Sequence, residues 1–161
     1  MKRLALIAAA IMALTAPAMS QNAGEIARVQ AGSSCAGCNL FQADLAYRDL
    51  PNVNLSGSRL RQANLSLSTM NGANFSRADL SVADLFGGRF TGASFAHTNL
   101  QNANLVGAYF GSADFSGADL TGAILSGAEM ERVRGLTQAQ LDTACGDQET
   151  RLPAGLRIPV C

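Results

Sequence analysis

The sequence predicts an all-β solenoid of four-sided coils, closed by a short C-terminal helix. Three observations predict it. From Leu40 to Met130 every fifth residue is large and apolar, nineteen in succession. Two residues before each, the side chain is usually small, as at Ala43, Ser58, Ala63, Ala73, Gly88, Thr98 and Ala113. The large residues also sort by type at a period of 20: one column is Leu40, Leu60, Leu80, Leu100 and Leu120, and the next is Leu45, Leu65, Leu85, Leu105 and Leu125. The third column reads Leu50, Met70, Phe90, Phe110, Met130, and the fourth Leu55, Phe75, Phe95, Phe115.

The period of five excludes the ordinary elements. On an α-helix each step of five rotates the side chain by roughly 140°, so the apolar residues would face all ways. On a flat strand an odd period alternates faces. A chain that turns a corner every five residues keeps them all inward, and stacked coils complete one another's core. One small and one large inward residue per side fill a narrow interior. Nineteen sides make nearly five coils, a rod about 23 Å tall at the inter-strand spacing. Arg48 departs from the pattern, at an inward small position; it is expected to snorkel from the open end or to mark a bulge.

In chain order, residues 1–20 read as a secretory signal. Lys2 and Arg3 precede an apolar run, Leu4 to Leu14, too short to span a membrane. Cleavage is expected after Ser20, with Ala18 the alternative; an uncut N-terminal anchor is the competing reading. Residues 21–38 form an N-terminal cap in which Glu25 to Val29 make one helical turn or an edge strand. Residues 39–133 are the repeats. Residues 134–161 hold a short helix and a tail. Thr137 is its N-cap and Gln140 completes a capping box. Leu136 and Leu141 suit a hydrophobic staple, and Gly146 is the expected end. The tail from Arg151, with Pro153, Gly155 and Pro159, is expected to be extended and irregular.

Four cysteines, an even number in an exported chain, favour disulfides. Cys35 and Cys38 fall on the inward phase just before Leu40. The two ends of the rod lie beyond disulfide reach, so local pairing is expected, Cys35–Cys38 and Cys145–Cys161. The same separation speaks against a four-Cys zinc site. Cys35-Ala36-Gly37-Cys38 also fits a thiol-redox motif, but no βαβ pattern surrounds it, and Asn39 stands where haem attachment needs His.

The repeats read ADLAY, ANLSL, ANFSR, ADLSV, ADLFG, ANLQN, ANLVG, ADFSG and ADLTG. They resemble the pentapeptide-repeat family over about ninety-five residues. The resemblance implies a right-handed quadrilateral β-helix. The tail from Leu136 to Asp147, with the later Leu-Pro-Ala-Gly-Leu, resembles that of exported proteobacterial members. Some members act as DNA mimics on type II topoisomerases; those look like acidic, cytoplasmic rods. This chain carries an export signal and no acidic stripe, so that role does not transfer.

No catalytic grouping, metal set or cofactor motif emerges. His97, the single His, sits at an outward corner in a column with Arg77 and Gly117. Asp44, Asn54, Asn64, Asn74, Asp79, Asp84, Asn99, Asn104, Asp114 and Asp119 precede large residues at the repeat spacing and are expected to bond the turning backbone. Twelve basic residues balance twelve acidic; without Lys2 and Arg3 the balance is ten to twelve, about −2. That excludes a nucleic-acid footprint and a polybasic membrane patch, and after signal cleavage no membrane insertion is expected. The best functional clue is apolar: Tyr47, Leu67, Phe86, Val106 and Ile124 point outward around the Leu45 column, while Phe41, Val82 and Tyr109 are exceptions among mostly polar walls. The strip is a candidate interaction face for a protein partner or a second copy. The reading is an exported, periplasmic or secreted, non-enzymatic scaffold.

Overall fold

The computed structural model describes residues 20–161. The expected signal segment therefore lies outside the described residues, apart from Ser20. The ladder is built of isolated parallel bridges joining residues 20 apart: Asn39 to Arg59, Asp44 to Asn64, Asp49 to Thr69, Asn54 to Asn74, and onward to Asp114 with Arg134. Through the repeats the bridging residue is the one before the large residue; Arg134, before Gly135, is the exception. In each bridge the flanking groups exchange hydrogen bonds: Leu60 N donates to Asp79 O (2.7 Å), and Asp79 N donates to Ser58 O (2.9 Å). The 20-residue register gives the four walls, here called the Leu40, Leu45, Leu50 and Leu55 walls.

Each corner is a four-residue turn. Ala63 N donates to Leu60 O, and Gln62 between them has φ of 59°. Every fifth residue from Gln42 to Gly127 has positive φ, the demand of a type II turn at its third position. The side chains before the large residues complete these corners. All ten of the expected Asp and Asn residues accept from the backbone N–H two residues on, as Asp79 does from Ser81 and Asn104 from Val106. These are Asx turns, and they explain why Asp and Asn recur there.

All nineteen large residues are at most 2% exposed. Inward Ser58, Ser68 and Thr98 are fully buried, and each hydroxyl donates to a carbonyl, those of Cys35, Leu65 and Phe75. The aromatic columns interlock. Phe75, Phe95 and Phe115 stack at 5.0 and 5.1 Å, and Phe90 and Phe110 meet them edge-on. Gly88 is small of necessity: a Cβ there would lie 2.6 Å from the Phe90 ring. Arg48 is exposed, yet Thr69 N still donates to its carbonyl at 2.8 Å. The ladder is unbroken, so of the two expectations the snorkel is the one observed.

Helix α1 spans Ala23–Gln30, eight residues where one turn or a strand was expected. Asn22 caps it by accepting from Glu25 N, and Val29 is fully buried against the core. An open solenoid end leaves backbone groups unpaired. Here side chains take them: Glu25 accepts from Asn39 N, Ser34 accepts from Asn54 N, Gln30 donates to Asp44 O, and Gln21 to Gln42 O.

At the other end α2 spans Gln138–Leu141, with the expected capping box between Thr137 and Gln140. Leu141 is buried, and the Gln140 amide donates to Phe115 O and Ala118 O, 2.9 Å each. The helix ends at Leu141, not at Gly146. The chain turns back to the ladder instead: Cys145 bridges Ile124, Arg151 bridges Glu129, and Gly146 pairs with Val160. The tail expected to be irregular thus adds ladder rungs. Edge groups of the last coil supply the reason, since this path pairs them: Leu125 N donates to Cys145 O and Met130 N to Arg151 O, 2.8 Å each. Disulfides join Cys35 to Cys38 and Cys145 to Cys161.

Candidate functional site

The candidate face is the Leu45 wall with the two corners that bound it. Among the described residues the exposed large apolar side chains are Tyr47, Leu67, Val82, Phe86, Ile124 and Val160, between 42% and 83% exposed. All six lie on this wall or its corners. Tyr47, Leu67 and Phe86 occupy the corner after the wall, and Ile124 stands on the wall itself. Val82 sits on the corner before the wall. Val160 joins through the tail: it pairs with Gly146, next in chain to Cys145, which bridges Ile124. Val106 is half-buried. Phe41 and Tyr109, exceptions in the sequence, are also only half-exposed, so among the described residues the other walls present no large exposed apolar group.

The strip is continuous down the rod. Tyr47 N donates to Ser66 O, Leu67 N to Phe86 O, and Gly87 N to Val106 O, at 2.8–3.0 Å, so these corners stack coil on coil. Leu67 drapes over Gly87, where a Cβ would lie 2.7 Å from its Cδ2.

Three of the six carry backbone strain. Tyr47, Leu67 and Val82 have φ of 55–58°, the left-handed region that disfavours side chains and β-branched ones most. In the same two corner columns Gly87, Gly107, Gly127 and Gly122 meet that demand without strain. Large apolar side chains held at left-handed positions, facing solvent, contribute nothing to the core. The sequence reading missed this feature. A signal was present: Gly57, Gly72, Gly87, Gly92, Gly107, Gly117, Gly122 and Gly127 share one phase of the repeat.

The remaining candidates are less organised. Cys35 and Cys38 are buried, 4% and 9% exposed. His97 is exposed above Gly117. A groove of about 220 Å³ on the Leu40 wall is lined by Phe41, Arg59, Arg61, Gln62 and Asp79. Among the described residues no group of three His, Cys, Asp or Glu is placed to hold a metal, and no helix is long and apolar enough to cross a membrane. Three carboxyls lie below their ordinary value. The Ser116 hydroxyl and N–H hold Asp114 down; the Thr121 hydroxyl and the Gln101 amide hold Asp119 down; the Gly127 N–H holds Asp147 down.

Residues 38–77, 49–87 and 89–127 match the family model described as Pentapeptide repeats, in 8 copies. Among solved structures, a pentapeptide repeat protein from the Arabidopsis thaliana thylakoid lumen is 34% identical, over 63% of this chain and 71% of that one, with a TM-score of 0.47. QnrB1, a plasmid-mediated fluoroquinolone resistance protein, is 23% identical over 65% of this chain and 64% of that one, with a TM-score of 0.50. HetL, involved in heterocyst differentiation regulation in the cyanobacterium Nostoc sp. strain PCC 7120, is 26% identical over 78% of this chain and 64% of that one, TM-score 0.34. The chain thus spans less than two thirds of the latter two. A search of curated proteins returned no match.

Proposed function

The chain belongs to the pentapeptide-repeat family, and on that premise we propose that it is an exported, non-enzymatic scaffold whose Leu45 wall receives a protein partner. The single observation that carries this reading is the confinement of every exposed large apolar side chain among the described residues to one wall and its corners.

The organisation proposed is a signal over residues 1–20, a cap over 21–38, a β-helix of nearly five coils over 39–133, and a capping helix with a disulfide-tied tail over 134–161. Two disulfides support a periplasmic or secreted location, since such bonds persist in oxidising compartments. Burial of Cys35 and Cys38 favours a structural bond over a thiol-redox role. A DNA-mimic role gains no support from the walls, where Arg59, Arg61, Arg77 and Arg89 interrupt any acidic stripe.

The test is site-specific photo-crosslinking in cells from Phe86, with Ser76 on another wall as control. A discrete adduct from Phe86 alone is expected. Equal labelling from both sites, or none from either, contradicts the reading.

A further inference from the structure

We propose that the Leu45 wall is covered by the same wall of a second copy of this chain, the two rods antiparallel about a two-fold axis at Phe86. This rests on the interaction reading above and names its partner.

Spacing along the strip is the first argument. Five successive coils each present one apolar side chain: Tyr47, Leu67, Phe86, Val106 and Ile124. The bridges Asp44 to Asn64, Asn64 to Asp84, Asp84 to Asn104 and Asn104 to Ile124 place Phe86 two coils from Tyr47 and two from Ile124. Reversing one rod therefore sets Phe86 against Phe86 and Leu67 beside Val106, and brings Tyr47 to the level of Ile124, which stands on the wall where Tyr47 stands on the corner. An isologous contact requires that symmetry, residue i meeting j while j meets i. At the inter-strand spacing the strip reaches about 10 Å either side of Phe86.

Charge is the second. The small residues of the strip's corner, Ala46, Ser66, Gly87, Gly107 and Ser126, are neutral. The carboxylates of the wall, Asp44 and Asp84, are turned onto the backbone N–H of Ala46 and Phe86, and Asn104 also donates to Asp84. The five side chains of the strip are themselves uncharged, so they meet a second copy without charge pairing, with the carboxylates Asp44 and Asp84 beside them on the wall.

Area is the third. Tyr47 is 76% exposed, and Leu67, Val82, Phe86 and Ile124 are 42–45% exposed. With about 150–200 Å² for a whole large side chain, they offer about 450 Å² per copy. Adding Val106 and the small residues between, two walls in contact remove about 1,000 Å² in all, the lower end for a specific interface. The pair is therefore reversible, forming as concentration rises.

The test uses the chain purified after expression of the full sequence, by sedimentation velocity from micromolar to hundreds of micromolar. A monomer–dimer equilibrium is expected, weakened about tenfold or more by Phe86→Ser with the circular dichroism unchanged. Register is tested by cross-linking. Phe86→Cys should oxidise to a symmetric dimer, and Leu67→Cys mixed with Val106→Cys should cross-link, while Tyr47→Cys alone should not. Cross-linking of Tyr47→Cys to itself overturns the antiparallel pair. A monomer at every concentration overturns the second copy. If Phe86 then still photo-crosslinks to another protein, the interaction reading survives; if it labels nothing, both fail.

Discussion

Replacing Phe95 by Ala tests the packing argument where it is most exposed to refutation. Phe95 is fully buried at the centre of the aromatic columns. It stacks on Phe75 and Phe115 at 5.0 and 5.1 Å and meets Phe90 and Phe110 edge-on at 5.6 Å each. Removing a buried ring costs about 3–5 kcal/mol in transfer and cavity terms. Four ring partners lie against it and the coils above and below are held by their ladders, so the cavity cannot collapse and the upper half of that range applies, about 4–5 kcal/mol. Phe95→Leu separates the terms. It keeps most of the buried volume and loses four ring pairs; at the lower end of about 0.5–1.5 kcal/mol each, its loss should be about 2 kcal/mol. Urea denaturation followed by far-ultraviolet circular dichroism reads both. A loss below about 2 kcal/mol for Ala, or equal losses for Ala and Leu, would refute the reasoning: the first denies the rigid stack, the second denies the ring pairs.

Val82→Asn should raise stability by about 1 kcal/mol, because Asn tolerates the left-handed corner that a β-branched residue resists; a lower urea midpoint contradicts the strain argument. Cys161→Ser opens a loop with a sequence separation of 16 and should cost about 3 kcal/mol, with hydrogen exchange accelerating in residues 143–161 before the Phe columns. Acid should loosen the C-terminal end first. Asp114, Asp119 and Asp147 lie below the ordinary 3.8 when folded, so their contribution is present above that value and is lost as pH falls through the folded ones. Stability should hold from pH 7 to about 5 and fall below about 4, and Asp119→Asn with Asp147→Asn should flatten that fall; an unchanged acid limb contradicts it. Deleting residues 136–161 should cause aggregation by uncovering the last coil, and a soluble monomeric truncation would count against the end being closed by that segment.

Much of this protein is legible without coordinates because its determinants are local and repeated. A large residue every five positions, a small one two before it, and an Asp or Asn in between each act within one corner, and the 20-residue sorting of Leu, Met and Phe reports the four walls. The capping box at Thr137 and Gln140 is equally local. Tertiary structure decided what depends on partners far along the chain. Helix α1 forms where its side chains can meet the open backbone of the first coil, and Glu25 finds Asn39 N only once the solenoid exists. Helix α2 ends at Leu141 because Cys145 must return to pair with Ile124, a demand that Gly146 does not announce. Arg48 leaves the interior because no coil lies above it. Val82 and Val160 join the strip through a corner and a returning tail, which five-residue columns could not reveal. The repeat thus encodes the rod in short-range terms, while the ends and the exposed wall arise from hydrogen-bond and packing demands that exist only after the coils have stacked.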